Sequence, residues 1–358
     1  MVDSRITEVA KILVDFSTGI KSGDRVLIRT DFAAKDLALE VYKHALLRGA
    51  NPWIRPDLPE MRYVFYKHAN DAQLGFLPEH ELFEIKNTDV YIYLASPSNV
   101  KELASIDPAR ISARVRTLKP ITDWRIDKTR WVVFYYPNEA LAQEAEMPLK
   151  EFEDFVFNSC LIDWNEVTKK LEALKQKVDL ADKVEIVSPD THLEFSIKGR
   201  NSVAASGDKN MPDGELFTSV VEDSTKGDIR FDIPAISTTY ANIIEDITLT
   251  FDQGEVRKAR AVKNQTFLEK MIETDRGAKR IGEFGIGFNY GITKSVKNIL
   301  FDEKIGGTVH LALGKGYQET LSHNESAIHL DLIKDLRKDG EVYFDGKLVM
   351  KNGKWLII

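Results

Sequence analysis

Two hydrophobic rhythms divide this chain of 358 residues and limit the architectures open to it. In the first half, Asp89-Val-Tyr-Ile-Tyr-Leu94 and Trp131-Val-Val-Phe-Tyr-Tyr136 are near-continuous apolar runs, as expected of strands buried on both faces of a parallel sheet. Arg25-Val-Leu-Ile-Arg29 and Asn51-Pro-Trp-Ile-Arg-Pro56 read as companion strands. Between them the spacing is helical: Ile6, Val9, Ile12, Leu13 and Phe16 share one face, and residues 34–48 end at Arg48-Gly49, a natural helix stop. A helical stretch from about residue 148 to 181 follows, and then the rhythm changes. Val184-Glu-Ile-Val187, Thr191-His-Leu-Glu-Phe-Ser-Ile-Lys198 and Ile244-Glu-Asp-Ile-Thr-Leu-Thr-Phe251 alternate apolar and polar residues and lead into glycine turns. Residues 268–277 look helical, and residues 341–357 read as hairpins turning at Asp345-Gly346 and Asn352-Gly353. The expected fold is an α/β N-terminal domain with a mostly parallel sheet, residues 1–183, followed by an α+β C-terminal domain rich in antiparallel strands, residues 184–358.

The composition excludes several classes. A net charge of −7, with acids and bases interspersed, provides no basic track for a nucleic-acid backbone. No apolar run reaches the roughly 18 residues that a membrane helix needs. The N-terminal stretch is amphipathic and carries acids, unlike a secretory signal. The single cysteine, Cys160, cannot form an intrachain disulfide and sits among apolar neighbours as a buried structural thiol would. A cytoplasmic protein with neither nucleic-acid nor membrane partners is expected. No Gly-x-Gly-x-x-Gly follows the early strands, Gly285-Ile-Gly287 lacks the rest of that spacing, and neither Gly-x-Ser-x-Gly nor His-Glu-x-x-His occurs. Nucleotide binding, a serine-hydrolase elbow and a helical single-zinc protease site are therefore not indicated.

Ligand-type residues gather in the second domain. His310-Leu-Ala-Leu-Gly-Lys-Gly-Tyr317 precedes Asn324-Glu-Ser-Ala-Ile-His-Leu-Asp331, and strand alternation there turns His329 and Asp331 to the same face. Glu215 lies in Met211-Pro-Asp-Gly-Glu-Leu-Phe-Thr218, a turn entering an apolar run. Glu283 lies in the glycine-rich Arg280-Ile-Gly-Glu-Phe-Gly-Ile-Gly287, where glycine admits close approach of backbone or ligand. Asp302 and Glu303 precede the segment that leads to His310. Each residue alone reads as an ordinary surface or core side chain. Four carboxylates and two imidazoles together suit a divalent ion, and five or six protein ligands exceed the needs of one catalytic zinc, which suggests two ions. Tyr317 could donate to a developing oxyanion. His44, His68, His80 and His192 read as surface residues, and His323 as a loop residue near the cluster.

At these motifs the chain resembles the M29 metallo-aminopeptidases, with Tyr136-Pro-Asn-Glu-Ala-Leu-Ala-Gln143 and Phe152-Glu-Asp-Phe155 extending the likeness upstream. The resemblance implies a two-domain exopeptidase, a homodimer using two divalent ions (Zn, Co or Mn). It assigns Glu215, Glu283, Glu303, His310, His329 and Asp331 as metal ligands and Tyr317 as the catalytic tyrosine. Glu303 is the least secure ligand, because Gly306-Gly307 lengthens the loop before His310. Thr320-Leu-Ser-His323 stands where a glycine-rich stretch is expected, which bears on substrate preference.

The expected reaction is removal of the N-terminal residue from short peptides by a two-metal-activated water. Glu283 would bridge the ions, Glu215 or Glu303 would act as general base, and Tyr317 would stabilise the oxyanion. The first domain, lacking ligands, would cover the site and restrict entry. The alternatives are a metal-dependent hydrolase of another bond such as a phosphoester, weakened by the lack of an Arg or Lys cluster beside the ligands, and a non-catalytic metal-binding protein.

Overall fold

The computed structural model describes residues 3–237 and 242–358; Met1 and Val2, which open the amphipathic N-terminal stretch, lie outside it. The chain forms two compact units, one of residues 1–161 with 207–212 and one of residues 162–206 with 213–358. The division thus falls after Leu161, whereas the change of rhythm suggested residue 183. Helix Trp164–Val178 explains the difference, since its Leu171, Leu174 and Val178 belong to the hydrophobic core of the second unit.

In the first unit the apolar runs form a five-stranded, all-parallel sheet. Its order is Asn51–Asp57, Arg25–Asp31, Val90–Ala95, Arg130–Tyr135 and Asn210–Met211. Val26, Ile28, Ile92, Leu94, Val132 and Phe134 are fully buried, as continuous apolar strands require. Helix Lys35–Leu47 buries Leu37, Ala38, Val41 and Ala45 and stops at Gly49. Cys160 is buried, and that burial pushes its thiol well above the ordinary range. Helix Pro108–Lys128 was not foreseen. The Asp107 carboxylate caps it by accepting the Ala109 N–H at 2.8 Å, but the helix buries no residue, so no apolar stripe announces it. Among the described residues no helix is long and apolar enough to cross a membrane.

The second unit is built on two antiparallel sheets. The nine-stranded sheet includes Lys183–Ser188, Thr191–Ser196, Asn242–Asp252 and the C-terminal hairpins Glu341–Phe344, Lys347–Lys351 and Lys354–Trp355. Asp345-Gly346 and Asn352-Gly353 take positive φ, as two-residue hairpin turns demand. The helix expected at 268–277 spans Gln265–Ile272. The smaller sheet has the order His329–Asp335, Thr308–Gly314, Ile281–Gly287, Glu215–Thr218 and Ser202–Ala205.

Alternation gives the smaller sheet two unlike faces. Leu216, Phe284, Ile286, Val309, Leu311, Leu313, Leu330 and Leu332 enter the core shared with the larger sheet. The intervening positions carry Glu215, Glu283, His310, His329 and Asp331 on the opposite face. Phe284, in the central strand, is fully buried and meets Phe195 of the larger sheet edge to face at 5.1 Å between ring centroids. Phe284→Ala should therefore destabilise the protein by about 3–5 kcal/mol. Denaturant unfolding measures this, and a loss below about 1 kcal/mol would mean that the two sheets do not depend on this contact.

Candidate metal centre

The register of the smaller sheet opposes each ligand-type side chain to a residue with little or no side chain. His310 pairs with Gly285, His329 with Gly314, and Glu215 with Gly287 and Ala205. Ala312 lies between Glu283 on one neighbouring strand and Asp331 on the other. This leaves a recess into which long polar side chains lean. Gly285 is indispensable to it, since a Cβ there would lie 1.9 Å from His310 Nε2. A β-bulge between Ile281 and Glu283 adjusts the register at the point where Glu283 enters the recess.

Five of the six expected ligands come from this face, and Glu303 joins them from the loop after the short helix Ile299–Asp302. Ligand atoms of Glu283, His310 and Asp331 lie within 4.8 Å of one another. Nε2 of the fully buried His310 is 3.2 Å from Glu283 Oε1 and 3.7 Å from Glu215 Oε2. Nε2 of His329 is 3.2 Å from Asp331 Oδ1 and 3.7 Å from Glu283 Oε2. The other nitrogen of each ring meets a backbone carbonyl: His310 Nδ1 donates to Glu303 O at 3.1 Å, and His329 Nδ1 donates to Lys315 O at 2.8 Å. A carbonyl only accepts, so each Nδ1 carries a hydrogen and each Nε2 is the nitrogen turned to the recess, the one that would offer its lone pair to a cation once its own proton is displaced.

The recess draws positive charge. Burial raises the pKa values of Glu283, Glu215 and Glu303. Burial alone would also raise Asp331, but His329 outweighs it and holds that carboxylate below its usual range. Burial would lower His310, yet its hydrogen bond to Glu283 and the charge of Glu215 push it up to about 9. Asp331 and Glu283 likewise overcome burial at His329 and push it up to about 10. Glu283 Oε2 is buried and accepts no hydrogen bond from the described residues. An orphaned carboxylate oxygen, two imidazoles aimed by backbone carbonyls and a second carboxylate within reach fit a divalent cation well.

Tyr317 stands at the open end, with its ring centroid 5.4 Å from that of His329 and 5.6 Å from that of Phe217. Desolvation, and then the negative charge of Glu283 and Asp331, hold its phenol above the ordinary tyrosine range, so it remains a donor. Asp302 serves the loop: its carboxylate accepts Ser295 Oγ–H at 2.7 Å and the Val296 N–H at 2.8 Å, and burial pushes its pKa up to about 6. His192 lies elsewhere, on an exposed strand surface 2.8 Å from Glu185.

Sequence reasoning passed over one residue. Lys304 is fully buried, hydrogen-bonds Glu303 and lies 3.6 Å from Glu215 Oε1. Lys304 is a single ammonium and does not amount to the Arg or Lys cluster that a phosphoester site would use. The available signal was a single lysine beside a candidate ligand, at the head of ten residues without another lysine or arginine.

The motifs belong to a likeness that runs the length of the chain. The family model for thermophilic metalloprotease (M29) matches residues 2–355. Aminopeptidase AmpS of Bacillus subtilis (strain 168) is 26% identical, with 98% of each chain covered. The solved structure of wild-type AmpT from Thermus thermophilus superposes with a TM-score of 0.87 at 20% identity, covering 99% of both chains. That of 2,5-dihydroxypyridine dioxygenase from Pseudomonas putida KT2440 gives 0.66 at 13% identity, covering 100% of this chain and 99% of the other, and shows a shared fold. With its strand order, its carboxylate–imidazole recess and a family match over almost every residue, the chain belongs to the M29 metalloprotease family.

Proposed function

We propose that this protein is a metal-dependent aminopeptidase that removes the first residue from short peptides with a free amino terminus. The observation that carries the reading is the convergence of Glu283, His310 and Asp331 in one recess, with His329 beside them. The family and the named aminopeptidase relative support it. A bound divalent ion would supply Lewis acidity toward the scissile carbonyl and lower the pKa of water. Glu283, His310, His329 and Asp331 are the residues we assign to hold it, and their mixed nitrogen and oxygen donors suit zinc, cobalt or manganese.

The remaining roles fall to the chain's own side chains. Glu215 Oε2, on the side of its carboxylate that faces His310, is our choice to take a proton from the attacking water. Tyr317 would donate its hydroxyl hydrogen to the carbonyl oxygen as charge develops there. The surplus of carboxylates favours a substrate bearing a free α-ammonium over one with a blocked terminus. A phosphoesterase reading loses ground because the buried ammonium of Lys304 faces Glu215 and Glu303 and is not free to meet a phosphate.

Hydrolysis of leucine p-nitroanilide and a dipeptide panel tests the proposal directly. Activity should vanish with EDTA, return with Zn, Co or Mn, and be absent on N-acetylated peptides. Metal uptake without cleavage of any free-amine substrate would overturn the reading. Tyr317→Phe should lower kcat by roughly 10²–10³ with metal content unchanged; an unaltered kcat would remove the phenol from the reaction. Gly285→Ala should push the His310 ring aside and weaken metal affinity roughly 10–100-fold. Competition against a fluorescent chelator measures that change, and wild-type affinity would show that the His310 position is not critical.

A further inference from the structure

We infer that Lys304 takes the place of a second metal ion, so that this chain holds one divalent cation where the ligand inventory suggested two. The inference rests on the metallo-aminopeptidase reading above and concerns the number of ions at the same site. The recess has two poles. At one, Glu283, His310 and Asp331 offer ligand atoms within 4.8 Å of one another, with His329 Nε2 3.2 Å from Asp331. At the other stand Glu215 and Glu303, which join no such set of three among the described residues. Between these two carboxylates lies the Lys304 ammonium, hydrogen-bonded to Glu303 Oε1 and 3.6 Å from Glu215 Oε1.

An ion bound at the second pole would have to share both glutamates with an ammonium that already engages Oε1 of each, and it would lie against a fixed positive charge in a medium of low dielectric. Lys304 is poorly placed to withdraw. Its side chain has no exposed surface. Its backbone is tied at both ends, with its N–H donating to Phe301 O at 3.1 Å and its carbonyl accepting from Asn289 N–H at 2.9 Å. Moving the ammonium would strand a buried charge, take from Glu303 its hydrogen-bonded cation and leave Glu215 with His310 alone. The lysine therefore provides at the second pole the charge compensation that a metal would otherwise provide. It acts as a positioning residue that holds Glu215 in a defined orientation toward His310.

Metal counting tests this without recourse to activity. The whole chain is stripped with chelator, dialysed against zinc chloride at pH 7.5 and analysed by plasma mass spectrometry. The expected result is one zinc per chain for the wild type, two for Lys304→Met, and still one for Glu303→Gln. Two ions in the wild type, falling to one in Glu303→Gln, would overturn the inference. If Lys304→Met fails to fold by circular dichroism, the wild-type and Glu303→Gln counts decide the matter alone. A wild-type protein that takes up no zinc, cobalt or manganese fails differently: it would remove the metal-dependent reading on which the inference depends.

Discussion

Four carboxylates within one recess of a sheet are the constraint around which the second unit is organised. Taken out of water without partners, each would cost several kcal/mol or give up its charge to a proton. The structure answers each in turn. Glu283 faces both imidazoles, Asp331 faces His329, and Glu215 and Glu303 share the ammonium of Lys304. The balance is incomplete at Glu283, whose Oε2 accepts no hydrogen bond from the described residues. That residual demand for positive charge is consistent with the cation we propose for the recess.

A sheet serves this purpose because its period of two separates the requirements of folding from those of chemistry. On one face of the central strand, Phe284 and Ile286 consolidate the core; on the other, Glu283 meets the imidazoles. The ligand face is workable only because the facing positions are small. Gly285, Gly287, Ala312 and Gly314 lie opposite long polar side chains, and larger residues there would occupy the volume into which those side chains lean. The backbone carbonyls of Glu303 and Lys315 accept from the Nδ1–H of the two imidazoles and so orient both rings without further side chains.

The fold alone does not decide the reaction. A dioxygenase shares it at 13% identity, and many architectures host unrelated chemistries on sites grafted to one scaffold. What distinguishes the present chain is the set of residues lining its recess. Among these Lys304 is the least expected, since a buried ammonium beside two glutamates alters how much positive charge the site can still accept.

The amino-acid sequence by itself determined the features that depend on local periodicity. Continuous apolar runs announced the parallel strands around Ile92 and Val132, and alternation announced the antiparallel ones and turned His329 and Asp331 to a common face. Turn chemistry at Asp345-Gly346 and Asn352-Gly353 was equally local. The ligand-type residues were legible because their residue types and motif order are unusual. Helix Pro108–Lys128 escaped because it buries no residue fully and so lacks a hydrophobic stripe. Only the tertiary structure decided the cross-strand register that sets Gly285 against His310, and the assignment of helix Trp164–Val178 to the second core. It alone brought Lys304 to Glu215. These are matters of which distant segments pair and which charges are desolvated together, and the free energies involved belong to contacts between segments far apart in the chain, which no local pattern records.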